Sequence, residues 1–402
     1  MLGTKIKRLH RWLCLCLICA SIHCLYAQTT NEFIVGGLIN DYVARKTWGP
    51  YWKSSSPLHV MRENGFGWAA TWVLIRSSPY LSNTVPAEWS RLPWRDEYWC
   101  SLEYATEFCR EAQKEGLRLH VLLVLSDKPT FPCHQDIPTQ WQGLSDAKLA
   151  TAVERYCTDT ASHFARIGLN VELYSIGNEI EFGILNTTPG RSCVPPGIDV
   201  FSNIAYLRSE VWPQEARLLK AAIQGVKKVH PAAKIALHPN SVGRSVNNAH
   251  LRAFLTAMVQ AGVQFDFVSI TDPQVTAVLV EGTRPYWGSK QFQSLVKFVG
   301  ALQKKVLVGE VLYPHSTGRI TSPPDPGYPY TPEGQRKWVS DFLAVLKSER
   351  NVAGVFYWYP DYFPGYSGAM GNPEEHTGLF VDDSHSQPAM MEFRRFIYLD
   401  KH

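Results

Sequence analysis

The sequence is poor in charge and in cysteine. Only 19% of its 402 residues are Asp, Glu, Lys or Arg, against 45% hydrophobic residues, which excludes a disordered chain and a coiled coil. The 40 basic and 36 acidic residues nearly cancel, and no basic run lies beyond the first eleven residues. The electrostatic footprint of a nucleic-acid-binding protein is therefore missing, and no nucleic-acid partner is expected. No stretch reaches the roughly eighteen consecutive apolar residues of a membrane span. The five cysteines after residue 27 (Cys100, Cys109, Cys133, Cys157, Cys193) include no Cys-x-x-Cys pair, so neither a structural zinc site nor a dense disulfide framework is indicated. Gly-x-Gly-x-x-Gly after a strand, Gly-x-Ser-x-Gly and His-x-x-x-His are absent too. Dinucleotide binding, a serine-hydrolase elbow and a helical metal site lose their usual signatures.

What is present begins at the N-terminus. Lys5, Lys7, Arg8 and Arg11 precede a short apolar run, residues 12–22, and Leu25-Tyr26-Ala27 ends in a small residue. That run is too short to span a bilayer and has the layout of a secretory signal. Residues 1–27 read as a signal peptide, 28–402 as one mature domain, and the protein as secreted, extracellular or periplasmic. Asn186-Thr187-Thr188 is a glycosylation sequon, useful in a eukaryotic export route.

Downstream, strand-like apolar runs alternate with amphipathic helical ones. Strands are expected at 33–38, 71–75, 117–125, 171–176, 234–238, 265–270, 306–311 and 352–358, with helices between them and a closing helix at 388–398. Eight strands joined by crossover helices imply parallel pairing. The simplest closure is a single-domain α/β fold, a (β/α)8 TIM barrel, whose chemistry sits just beyond the C-terminal strand ends. Two Pro- and polar-rich stretches, 126–145 and 186–204, would cover that face.

Two strand ends carry an acid in apolar surroundings: Ser175-Ile176-Gly177-Asn178-Glu179 on strand 4 and Val308-Gly309-Glu310-Val311 on strand 7. Burying a carboxylate is costly, and either Glu alone could be a salt-bridged rim residue. Together they can face one another across the barrel mouth. A retaining glycosidase needs such a pair, about 5–5.5 Å apart. Asn178 would donate to a sugar hydroxyl, His238 could bind another, and Trp358 could stack beneath a sugar ring. The abundance of aromatics, 13 Trp, 18 Tyr and 18 Phe, suits flat apolar sugar faces as well as a large core. Asp361 and Asp382-Asp383 read as solvated loop acids, with a structural calcium site as the alternative. No cofactor is expected.

These motifs resemble the retaining (β/α)8 glycosidase clan that carries its acid/base after strand 4 and its nucleophile after strand 7. Within it they are most similar to the arabinogalactan endo-β-1,4-galactanases, glycoside hydrolase family 53. The resemblance rests on Leu125-Ser126-Asp127 with His134-Gln135-Asp136-Ile137-Pro138 and Trp141, on Ile176 to Ile180, and on Gly309-Glu310 with Tyr313-Pro314. Tyr330-Thr331-Pro332-Glu333-Gly334-Gln335, Phe356-Tyr357-Trp358-Tyr359-Pro360 and Gly378-Leu379-Phe380 extend it over most of the mature chain. The resemblance implies Glu179 as proton donor and Glu310 as nucleophile. It places Tyr286 and Trp287 near the substrate and implies a plant-type galactan or arabinogalactan cut internally by a monomer, while Asp127 and Trp141, in a loop on the active face, could line further subsites.

The chain departs from the family at two places. The Arg expected on strand 2 has only Arg76 near it. Strand 6 runs into Thr271-Asp272-Pro273, and Arg284-Pro285-Tyr286-Trp287-Gly288 follows an insertion. The Tyr that would hydrogen-bond the nucleophile is Tyr286 or is absent. Two alternatives stay open: a related enzyme for another β-linked polysaccharide, and a non-catalytic sugar-binding barrel.

Overall fold

A computed structural model describes residues 33–39, 56–75, 100–187, 195–199, 202–240, 249–271, 290–318, 320, 323–363, 376–382 and 385–398. Residues Ile34–His402 form one compact unit. The expected signal peptide, Arg76, Tyr286, Trp287 and Asp383 lie outside the described residues.

Eight parallel strands close in sequence order: β1 (Ile34–Leu38), β2 (Trp68–Val73), β3 (Arg118–Leu123), β4 (Val171–Ile176), β5 (Lys234–Leu237), β6 (Phe267–Thr271), β7 (Lys305–Val311) and β8 (Val352–Trp358). A helix follows each: α1 (Pro57–Glu63), α2 (Leu102–Lys114), α3 (Asp146–Arg166), α4 (Trp212–Val229), α5 (Ala249–Gln260), α6 (Lys290–Ala301), α7 (Pro332–Ser348) and α8 (Met390–Tyr398). This is the expected (β/α)8 barrel. The strands are apolar on both faces because one face fills the barrel and the other meets the helices. Ends are set by local chemistry. The Ser101 hydroxyl accepts from Tyr104 N to cap α2, and Thr331 Oγ accepts from Gly334 N to cap α7. Thr331 is thus the cap rather than the first helical residue.

Leu38, Ala70, Leu122, Leu173, Ala236, Leu307 and Phe356 pack inside the barrel. Side chains alternate along a strand, so parity extends this inward set toward the C-terminal mouth: Ser175 on β4, His238 just past β5, Thr271 on β6 and Trp358 on β8. Two strands differ from expectation in a way that matters here. β2 begins at Trp68, because Ala69 and Ala70 pair with Gly37 and Leu38 of β1. β6 runs to Thr271, which pairs with Glu310.

Glu310 violates the parity of its own strand, since Leu307 and Gly309 are the inward positions. The ladder corrects this. Ile270 pairs with Val308 but Thr271 with Glu310, so Gly309 is one extra residue on β7. The same excess appears against β8, where Val308 and Val311 oppose Val355 and Tyr357. A bulge bends the strand and re-aims the next side chain. Only glycine fits there: a Cβ on Gly309 would stand 2.0 Å from Ser269 Oγ and 3.2 Å from His238 Cε1.

Candidate active site

Glu179 leaves β4 through a tight turn. Gly177 has φ +73° and Glu179 itself φ +53°, a left-handed conformation that costs a non-glycine residue roughly 1–2 kcal/mol. The turn is held from the loop after β3. Gln135 Nε2 donates to the carbonyls of Asn178 and Glu179 at 2.9 and 3.1 Å. Thr130 Oγ1 donates to Asn178 O at 3.0 Å, and Asn178 Nδ2 donates back to Thr130 O at 2.8 Å. The loop is anchored in turn by Ser126 Oγ donating to Asp136 O and by Thr187 Oγ1 donating to Asp136 Oδ1. Strain at Glu179 persists because its surroundings over-determine it, as functional turns often do.

Both acids lie beside Thr271. Thr271 Oγ1 donates to Glu310 Oε2 at 3.3 Å, and the same side chain favours the ionised form of Glu179. Asn240, just past β5, donates from Nδ2 to Glu179 Oε1 at 2.8 Å. Its backbone N–H donates to Glu181 Oε2, also at 2.8 Å. Behind Thr271 stands His238, 0% exposed, with Nε2 3.1 Å from Thr271 Oγ1 and 4.0 Å from Glu310 Oε1.

Burial dominates the electrostatics. Desolvation pushes Glu179 up to about 7, opposed by the hydrogen bonds from Asn240 and Thr271. Desolvation, then the charge of Glu179, pushes Glu310 up to about 8, opposed by Thr271. Interacting carboxyls this close lose their protons in two steps that belong to the pair. Burial holds His238 down to about 3, so its imidazole is neutral. Glu181 is also pushed up to about 8, and Glu215 well above the carboxylate range, both by burial first. Neither carboxyl oxygen of Glu215 has a hydrogen-bond partner among the described residues.

The remaining expected site residues are distributed unevenly. Trp358 sits half-buried at the end of β8, its ring 5.6 Å from Trp72, at the mouth where stacking was expected. Asn178 is buried, and its Nδ2 is engaged with Thr130 rather than pointing free. His238 is buried beneath the acids and engages Thr271; the structure gives it no exposed surface for a sugar hydroxyl. Asp127 is half-buried, and its carboxyl is raised by burial. Trp141 is 8% exposed and packs edge-on to Tyr156 of α3, 6.0 Å between ring centres. Trp141 thus braces the loop against α3. Asp361 is 0% exposed, which corrects its reading as a solvated acid. Asp382 is half-buried and accepts from the His385 N–H. No cluster of three potential metal ligands occurs among the described residues. Cys109 and Cys157 are buried thiols, whereas Cys133 is in a disulfide.

Sequence reasoning missed Thr271 because strand 6 was ended at Ile270. The signal was available in the parity of Phe267, Ser269 and Thr271. The role of Asn240 had no sequence signal beyond its place after β5. The Tyr330-to-Gln335 motif has a structural role: Gln335 Nε2 donates to the carbonyls of Tyr313, Thr377 and Gly378, lacing the segment after β7 to the chain's C-terminal stretch.

Comparison with known proteins agrees with the fold. The sequence model described as glycosyl hydrolase family 53 matches residues 86–393. The arabinogalactan endo-beta-1,4-galactanase of Humicola insolens is 27% identical over 318 residues, covering 75% of this chain and 84% of that one. The solved catalytic domain of this same family from Ignisphaera aggregans superposes with a TM-score of 0.70 at 26% identity, covering 92% of this chain and 98% of that chain. A structure from a study of two fungal beta-1,4-galactanases shares the fold at a TM-score of 0.68 and 22% identity, covering 90% of this chain and all of that one.

Proposed function

Because the chain belongs to glycosyl hydrolase family 53 and is a glycoside hydrolase, we propose that it is a secreted endo-enzyme. It cuts internal β-1,4-galactosyl linkages of galactan or arabinogalactan with retention, using Glu179 as acid/base and Glu310 as nucleophile. One observation carries this reading. Acids from β4 and β7, far apart in sequence, lie beside Thr271 at the C-terminal mouth of the barrel, near enough for the charge of Glu179 to raise Glu310, and double displacement needs such a facing pair.

In the first step a Glu310 oxygen bonds to the anomeric carbon while the bond from that carbon to the leaving oxygen breaks. Glu179 passes its proton to that oxygen. In the second step Glu179, now a carboxylate, takes a proton from water. The water oxygen bonds to the anomeric carbon and Glu310 leaves as a carboxylate. A raised Glu179 suits a group that must hold a proton near neutral pH. Glu310 is raised as well, although it must attack as an anion. The positive charge that develops on the sugar between the two acids favours its ionised form. Trp358 offers an apolar face at the mouth for a sugar ring. The signal at residues 1–27 is the route of export, and the protein acts as a monomer without a cofactor.

The test is product analysis on galactan, mannan, xylan and glucan, with NMR of the first-formed anomer. Galactan is expected to be cleaved internally with a β-configured product. Glu179→Ala and Glu310→Ala should each cut turnover by about 10³-fold or more. Cleavage of another polymer alone would remove the galactan assignment, and an α-configured first product would remove the two-step mechanism.

A further inference from the structure

We propose that Phe131, stacked on His134 at the rim beside Glu179, is a substrate-binding residue that packs against the sugar on the leaving side of the scissile bond. It rests on the acid/base role proposed above for Glu179.

Apolar side chains scattered singly over a surface are ordinary, so exposure alone assigns nothing to Phe131. Its setting does. Among the described residues it is the one exposed Phe, Tyr or Trp, at 37%. It lies in the loop after β3, at the C-terminal mouth where a barrel binds its ligands. The larger ring of that loop, Trp141, is turned inward against α3, so Phe131 is the aromatic that the loop shows to solvent. The catalytic turn is next to it. Gln135 Nε2 lies 3.4 Å from Phe131 O, 2.9 Å from Asn178 O and 3.1 Å from Glu179 O. Three carbonyls around one nitrogen fix Phe131 beside Glu179. Thr130, the residue before it, exchanges two further hydrogen bonds with Asn178.

The ring is also held in place. The chain reverses through Phe131-Pro132-Cys133-His134. His134 N–H donates to Phe131 O at 2.8 Å, Pro132 takes the second position and Cys133 has φ +64°, the pattern of a type II turn. Cys133 is in a disulfide, which ties the turn covalently. The two rings at the ends of the turn stack, 3.9 Å between centres and 29° between planes. Phe131 is thus ordered before a ligand arrives, and little rotamer entropy is left to lose on binding. The His134 imidazole, exposed beside it, offers a hydrogen-bonding nitrogen to a hydroxyl. A pyranose presents C–H groups on a face and hydroxyls at its edge, which suits an aromatic ring with a polar neighbour. Which sugar it meets follows from the chemistry. Glu179 must touch the oxygen between two sugars, so the leaving sugar lies beside Glu179, while Glu310 attacks from the opposite face. Phe131 stands on the Glu179 side; Trp358 stands on β8, across the closed barrel from β4.

The experiment measures kcat/KM on two substrates: β-1,4-galactan, and β-1,4-galactobiosyl fluoride, whose leaving group is an ion with no sugar ring. Phe131→Ala is expected to lose about 3- to 10-fold on galactan and to stay within about twofold on the fluoride. Phe131→Leu, which keeps apolar bulk without a flat face, should lose activity in the same way, and Phe131→Trp should retain it. An equal loss on both substrates would mean that the ring only supports the Glu179 turn, and an unchanged value on galactan would mean that no sugar reaches it; either overturns the proposal. Glu179→Ala is assayed in parallel. If that variant cleaves galactan normally, the acid/base assignment fails and takes this proposal with it; if it is inactive there while Phe131→Ala loses nothing, only the Phe131 proposal fails.

Discussion

The side-chain amide of Asn240 donates to Glu179 Oε1 at 2.8 Å, and the same residue's backbone N–H donates to Glu181 Oε2. One residue after β5 thus ties the acid/base candidate to a second buried acid two residues further along the chain. Removing the amide would free a strained, left-handed Glu179 and leave it without that donor. Asn240→Ala is expected to lower kcat about 10- to 100-fold with a smaller change in KM, since the amide orients the acid rather than the sugar. It should also raise the pH at which Glu179 ionises, because the hydrogen bond favours the carboxylate. Steady-state kinetics against pH checks both; a change confined to KM would contradict the orienting role.

The pH dependence of the unaltered enzyme follows from the same burial. The active form has one proton on the acid pair. Both Glu179 and Glu310 are raised, to about 7 and about 8, so the acid limb of kcat/KM is expected well above the ordinary carboxylate value of about 4.3. An acid limb at about pH 4 would mean that the pair is solvated when it works.

Glu181 and Glu215 impose a separate dependence on stability. Each binds its proton more tightly in the folded chain than in the unfolded one. The stability they support is complete below the unfolded value near 4.5 and is lost as pH rises toward the folded value, about 8 for Glu181. The melting temperature should therefore fall between pH 5 and pH 8. Glu215→Gln, which removes the charge requirement at a site with no partner for either oxygen among the described residues, should flatten that slope. At pH 8 it should stabilise the protein. Thermal unfolding followed by circular dichroism at both pH values measures it, and an unchanged slope would show that Glu215 is hydrated.

Gly309 is expected to tolerate no side chain. Gly309→Ala places a Cβ against Ser269 and His238, so either the bulge or the imidazole must move. Destabilisation by about 1–3 kcal/mol should accompany a fall in kcat, because the bulge aims Glu310. Wild-type kinetics in this variant would mean that the strand can re-aim the acid by another route.

Trp358→Ala should raise KM on polymer several-fold or more while the protein remains folded, since the ring is half-buried at the mouth and only partly packed on Trp72. Trp141→Ala should instead lower stability, because that ring is packed against α3.

The eight-strand rhythm was legible because burial on both faces of a strand and on one stripe of a helix leaves a period in the sequence. The bounds of β4 and β8 could be read to the residue. The two acids stood out for the same reason: a Glu ending an apolar strand run is conspicuous, and barrel topology puts strand ends together. What the sequence could not carry was orientation. Reading Trp141 as a subsite residue, and His238 as a sugar ligand, followed from their place in the chain. Whether a loop residue faces the cavity or the helix beneath it depends on how the loop folds back, and no local pattern encodes that.

By itself the sequence determined the barrel, its order and the two carboxyls, because hydrophobic periodicity and strand polarity are properties of the chain. The tertiary structure alone decided that Glu310 points into the mouth, through one extra residue at Gly309 that shifts the strand's parity. It alone brought Thr271, His238 and Asn240 from the ends of β5 and β6 around both acids. These contacts join residues tens of positions apart, and their energies depend on distance and burial, which exist only once the sheet has closed.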